Sequence, residues 1–290
     1  WLMTVIDVHC ADLPPQTYFL PLAICWEDEA GDDKLHALAP WTLARVRQQA
    51  RIGLLYGAFG DDRFCRALVN GIGANLDLPV GKGHAMFRAF SSFAALADGI
   101  AAPVRHPALE QSNTAVYFGD RWFLKGYRRL QAGTNPEVEV GRFLTEASPY
   151  PHIVPVAGAI ELRRPDGQTL TLALLQAYVE NQGTAWNYAV DYLECFLAEQ
   201  LGQPERLDVA PDASPHGFFL TLMGVLGTRT AELHCAFAHS TGDAAFDPEP
   251  VAATDIEAWC RQLHAEAVAT LDELEARRDR LPVEVHAAAD

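Results

Sequence analysis

The spacing of apolar residues switches between the period of a strand and that of a helix, and the switches divide the chain. Residues Val5 to His9 and Thr17 to Trp26 alternate as strands do, with Asp12-Leu13-Pro14-Pro15 between them as a turn signal. The acidic run Glu27 to Asp33, with Gly31, is a solvated loop, and Leu43 to Tyr56 is β-prone. Asp61-Asp62 then open a helix whose Phe64, Leu68 and Val69 fall at helical spacing. Gly71-Ile72-Gly73 and Gly81-Lys82-Gly83 complete neither G-x-G-x-x-G nor the P-loop pattern, and a loop after a helix is the expectation. Met86 to Leu96 fits either a short amphipathic helix or a strand and turn. Pro103 and Pro107 bracket a boundary, so the first hundred or so residues are expected to form a small α+β unit of their own.

Past that boundary, Thr114 to Phe118 and Arg121 to Arg128 read as strands joined by the hairpin signal Gly119-Asp120. Alternation puts Lys125 on one face with Phe123 and Tyr127, and Trp122 and Leu124 on the other. Both faces are largely apolar, which predicts a strand covered on both sides. A lysine there is costly unless its ammonium meets an anion; the alternative is an edge strand from which Lys125 reaches water. The next helix has Asn135 as N-cap, Pro136 and Glu137 in its first turn, and Val140, Phe143 and Leu144 as its buried stripe, with Glu139 flanking it. Ile153 to Arg163 and Thr169 to Val179 are two more strands, joined by the turn Arg164-Pro165-Asp166-Gly167. The polar segment Tyr178 to Gly183 follows. From there the pattern is helical only, over Thr184–Leu201, Phe218–Ala238 and a last helix opening at the capping box Thr254-Asp255-Ile256-Glu257.

Charge narrows the function. A net charge of −16 over 290 residues argues against nucleic acid or an anionic membrane surface as partner. A nucleotide is not excluded, because phosphate binding needs a local lysine and a few backbone amides. No apolar run is long enough to span a bilayer and no secretory signal opens the chain, so a cytoplasmic location is expected. The start at Trp1 suggests a piece of a longer protein. The six cysteines show no C-x-x-C pair and read as reduced, mostly buried thiols. His234-Cys235 and His239 are spaced so that they diverge around a helix, which favours core and surface histidines over a metal site.

A hairpin, a helix, two strands, a polar hinge and then helices is the order in which the amino-terminal lobe of a kinase-like fold meets its helical second lobe. The segments Glu110-Gln-Ser-Asn-Thr114, Phe123-Leu-Lys125, Asn135 to Glu146 and Arg229-Thr-Ala-Glu-Leu-His234 closely resemble maltokinase, in the family's order and over nearly the whole chain. The resemblance implies an α+β fold: a small cap domain over 1–104, a protein-kinase-like N-lobe over 105–180, and the helical part of an incomplete C-lobe over 181–290. It implies an ATP- and magnesium-dependent kinase that makes maltose 1-phosphate, standing alone or fused behind a trehalose synthase domain. On this reading Lys125 contacts the α- and β-phosphates and Glu139 is its ion-pair partner, with Glu137 the alternative. Ser112, Asn113 and Thr114 sit over the phosphates, and backbone groups of Gln176, Tyr178 and Val179 meet the adenine. The family's catalytic H-G-D and magnesium-binding D-F-E are expected beyond Asp290, and His216-Gly217-Phe218 is not that loop. No catalytic residue or metal ligand is therefore assigned, and these 290 residues alone are expected to be inactive. Two other readings stand beside this one: an interaction module tethered to a trehalose synthase domain, and a kinase for another small sugar.

Overall fold

A computed structural model describes residues 1–11, 13–107, 112–202 and 216–282. Glu110-Gln111, the start of the first matched segment, lies outside the described residues, as does Asp12 of the first expected turn. Strands β1 (Val5–Cys10) and β2 (Leu13–Phe19) pair antiparallel, so Leu13-Pro14-Pro15 begins a strand instead of forming a turn. The expected strand Thr17 to Trp26 breaks at Leu20-Pro21, and β3 (Leu22–Trp26) belongs to a different sheet. After α1 (Asp32–Leu38), the β-prone stretch resolves into a hairpin, β4 (Thr42–Gln48) and β5 (Arg51–Gly57).

Helix α2 (Asp62–Gly73) starts at Asp61, whose carboxylate accepts the Arg63 N–H. Gly71 and Gly73, expected in a loop, lie in this helix. A Cβ on Gly71 would come 2.9 Å from the Phe87 ring, and one on Gly73 would come 2.6 Å from Phe93. The missing side chains are what let α2 close on its neighbours. Strands β6 (Asp77–Val80) and β7 (Gly83–Ala89) form a hairpin around Gly81, which has φ +61°. Met86 to Leu96 thus follows the strand-and-turn alternative, with the single turn α3 (Phe93–Leu96) at its end.

Next come β8 (Val104–Arg105), β9 (Thr114–Phe118), β10 (Trp122–Gly126) and β11 (Arg129–Leu130). Helix α4 (Pro136–Arg142) continues as a π turn over Phe143–Ala147. Strands β12 (Val156–Arg163) and β13 (Thr169–Ala177) lead to α5 (Ala185–Gly202), α6 (Gly217–Phe237) and α7 (Ala253–Arg277). The cap of α7 falls two residues earlier than expected: the Asp255 carboxylate accepts the Ala252 N–H at 2.9 Å, and Thr254 is inside the helix.

One seven-stranded antiparallel sheet, ordered β6-β7-β12-β13-β10-β9-β8, carries the core, with three-stranded sheets β1-β2-β11 and β3-β5-β4 beside it in sequence. Strands from before and after Pro103 share the large sheet, so the first hundred residues are not a unit of their own. The compact units are Trp1–Ala236 and Phe237–Asp290.

One face of β9 and β10 is sealed. Val116, Phe118, Trp122 and Leu124 are all 0% exposed there, cross-strand from one another in register. The cover comes from the first hundred residues: Phe93 lies 5.3 Å from Trp122, and a Cβ on Gly126 or Gly158 would strike Phe59 or Ile72. Among the described residues, no residue of α5, α6 or α7 is buried, and no helix is long and apolar enough to cross a membrane. All six cysteines are free; only Cys25 and Cys65 are buried, and the other four are exposed, against the expectation of mostly buried thiols.

Candidate functional site

The other face of β10 stays partly open, which corrects the expectation of a strand covered on both sides. Its Phe123 and Lys125 are half-buried while Trp122 and Leu124 are sealed. Gly119 (φ +53°) makes the tight β9–β10 turn and fixes the register. Phe123 therefore stands opposite Tyr117 and Gln176, and Lys125 opposite Ala115 and Leu174. Arg105 of β8 stands opposite Tyr117. One row across the sheet is thus Arg105, Tyr117, Phe123 and Gln176, and the next row carries Lys125.

The first row is aromatic. Tyr117 lies 5.1 Å from Phe123 and meets Tyr178 edge-on at 5.3 Å, with the Arg105 guanidinium 5.5 Å over its ring. Tyr178 is brought there by its own N–H, which donates to the Arg121 carbonyl at 2.8 Å and ties the segment after β13 to the start of β10. A hollow of about 470 Å³ opens here between Arg105, His106, Tyr117 and Tyr178.

In the second row Lys125 Nζ donates to both carboxylate oxygens of Glu137, at 2.6 and 2.7 Å. The expected partner Glu139 is replaced by the alternative, for a helical reason. Asn135 accepts the Glu137 N–H at 2.9 Å and starts α4 at Pro136, so Glu137 sits in the first turn. Side chains lean toward a helix N-terminus, which carries Glu137 back over the end of β10. Glu139, two residues on, is turned by about 200° around the axis. Tyr127, on the Lys125 face and 7% exposed, donates its hydroxyl to Glu137 Oε2 at 2.9 Å. Burial, and then the Glu137 charge, push the Tyr127 phenol far above its usual range, so it remains a donor. The ion pair is accessible, with the Lys125 side chain 22% and Glu137 51% exposed.

Beyond the ion pair a second hollow, of about 440 Å³, is lined by Asn113, Tyr127, Arg129, Asn135, Glu137 and Thr171 among others. The other expected residues divide. Asn113 lines this hollow, and Ser112 is exposed beside it, 3.5 Å from the Asn113 amide. Thr114 is 6% exposed and its hydroxyl accepts from Arg128 Nε at 3.2 Å, on the sealed side of the sheet. Gln176 shares the aromatic row, Tyr178 lines the first hollow, and Val179 is 52% exposed. Sequence reasoning left out Arg105, Tyr117, Phe123, Tyr127 and Arg129. The hairpin signal Gly119-Asp120 held the information for Tyr117 and Phe123, because it sets which residue stands opposite Phe123; Arg105 comes in through the separate pairing of β8 with β9.

This arrangement offers an aromatic hollow, a cation clamped by a carboxylate and a polar hollow, in line along one strand. From Phe123 to Tyr127 the strand rises about 13 Å, roughly the reach of a base with its phosphate chain. Among the described residues no three His, Cys, Asp or Glu side chains come together to hold a metal.

No family model matches the chain. Its fold is similar to solved structures of glucosamine kinase. One, in complex with glucosamine, ADP and inorganic phosphate, is 19% identical with a TM-score of 0.50, over 99% of this chain and 56% of that one. A second, crystal form B, is 19% identical with a TM-score of 0.52 over the same shares. Crystal form A is 20% identical with a TM-score of 0.50, over 98% of this chain and 54% of that one. The likeness is one of fold, and the chain spans just over half the length of these structures.

Proposed function

We propose that this chain is the nucleotide-binding part of an ATP-dependent sugar kinase. The observation that carries the reading is the Lys125–Glu137 pair at 2.6 Å on the open face of β10, between an aromatic and a polar hollow. Lys125 binds the α- and β-phosphates, Glu137 orients it, and the base lies against Tyr117 and Tyr178 beside the backbone of Gln176 to Val179. Asn113 and Ser112 flank the phosphates. The strand order β8-β9-β10-β13-β12 followed by the hinge at Tyr178 supports a kinase-like N-lobe within residues 105–180, with β6 and β7 extending its sheet. The fold likeness to glucosamine kinase, one structure of which holds ADP and a sugar, supports a small-sugar acceptor.

Maltose, giving maltose 1-phosphate, is the acceptor that the sequence resemblance favours, and a trehalose synthase domain in cis fits the same resemblance. Magnesium, which the sequence resemblance implies, would neutralise part of the phosphate charge, and its ligands and the catalytic base would come from residues other than those assigned here. The described part of the chain binds and orients; it does not transfer.

The test is thermal unfolding with ATP. At ten times its Kd, ATP stabilises the folded chain by about 1.4 kcal/mol, and Lys125→Ala abolishes the shift. No shift at millimolar ATP would favour the interaction-module reading. A coupled ADP-release assay with maltose or glucosamine is expected to show no turnover by the 290 residues alone.

A further inference from the structure

The ion pair at the centre of the site has a charge problem. Lys125 is held by both oxygens of Glu137, so the two side chains together contribute no net positive charge. A triphosphate carries several negative charges, and an arginine free of any carboxylate would add to what magnesium neutralises. Arg128 is committed to the Thr114 hydroxyl at 3.2 Å. Arg129 is different: it lines the polar hollow, its side chain is exposed, and among the described residues it makes no ion pair or side-chain hydrogen bond. The same hollow is lined by the amide residue Asn135, at the start of α4. Asn113 lines the same hollow and adds an amide.

We propose that the hollow at the far end of β10 is a phosphate subsite, in which Arg129 is the cation and Asn113 a neutral donor for the terminal phosphate of a bound nucleotide. The assignment rests on the nucleotide reading above and deepens it: Lys125 grips the inner phosphates, and Arg129, three residues past the strand end, grips the outer one. Arg129 is held by backbone pairing of β11 with Tyr18 of β2, so its position does not depend on its side chain.

Calorimetric titration of the 290-residue chain with ATP and with adenosine separates the phosphate end from the base end. Arg129→Gln is expected to weaken ATP by about tenfold or more, to leave adenosine affinity unchanged, and to leave the unliganded unfolding midpoint where it was. Arg129→Lys, which keeps the charge but not the planar fork, recovers part of the ATP affinity. Unchanged ATP affinity in Arg129→Gln, or an equal loss for adenosine, overturns the subsite. If the natural chain binds neither ATP nor adenosine, the nucleotide reading fails by itself, and inorganic tripolyphosphate then decides the subsite. Binding of tripolyphosphate that Arg129→Gln abolishes keeps it, and no binding removes it.

Discussion

Trp122 and Trp259 sit in segments of comparable apolar content and meet opposite fates. Trp122, in β10, is 0% exposed beneath Phe93; Trp259, in α7, is 54% exposed. The contrast holds for the segments around them. The large sheet buries Val116, Phe118, Leu172, Leu174 and Leu175 to 2% exposure or less, whereas Trp186 and Leu201 of α5 are 77% and 83% exposed. Apolar sequence creates the drive for burial, but burial itself needs a second surface. The sheet finds that surface in Phe59, Ile72 and Phe93, whereas α5 and α6 find only partial cover, with Tyr192 stacked on Phe219 at 4.4 Å, and among the described residues none of α5, α6 or α7 is buried.

The largest expected difference between the two regions is in truncation. Trp122→Ala should cost about 3–5 kcal/mol in chemical unfolding, because it leaves a cavity in a sealed layer. Trp259→Ala should cost less than about 1 kcal/mol. Comparable losses at the two sites would mean that α7 is covered.

Glycines sharpen the same contrast at smaller scale. A Cβ on Gly158 would strike Ile72 and come 2.6 Å from the Arg88 carbonyl, so Gly158→Ala should destabilise by about 1–3 kcal/mol. Gly227, inside α6, has nothing within 4 Å of its missing Cβ. Gly227→Ala should stabilise by up to about 1 kcal/mol through helix propensity.

The smallest effect is electrostatic. Asp61, 8% exposed, is pushed up by burial, but the Arg63 guanidinium, the Trp1 indole and the Arg63 N–H outweigh that and leave its carboxyl below the usual 3.8. A lowered folded pKa means stability fully present above the unfolded value and lost as pH falls through the folded one. Asp61→Asn should therefore flatten the acid limb of a stability–pH curve below about pH 4 and leave α7 untouched.

Local chemistry made the site's backbone legible. Gly119-Asp120 announced the hairpin, Asn135-Pro136 announced the start of α4, and alternation put Lys125 beside Phe123 and Tyr127. What remained hidden depends on how elements cross. Nothing in the spacing of Glu137 and Glu139 says which side of the first turn of α4 faces the end of β10, and the start at Pro136 turns Glu137 toward Lys125. Gly71 and Gly73 looked like loop residues because a glycine that yields to Phe87 or Phe93 has the same letter as one that turns a chain. Pro103 looked like a domain boundary because proline marks a break in local structure, whereas β7 pairs with β12 some seventy residues away, across that break.

The measurement that bears most directly on the open face of β10 is a crystal structure of the chain with a non-hydrolysable ATP analogue. The base should lie against Tyr117 and Tyr178, with the phosphate chain crossing Lys125 toward Arg129 while Glu137 stays on the lysine. An analogue bound elsewhere, with Lys125 contacting Glu137 and no phosphate, would contradict the account.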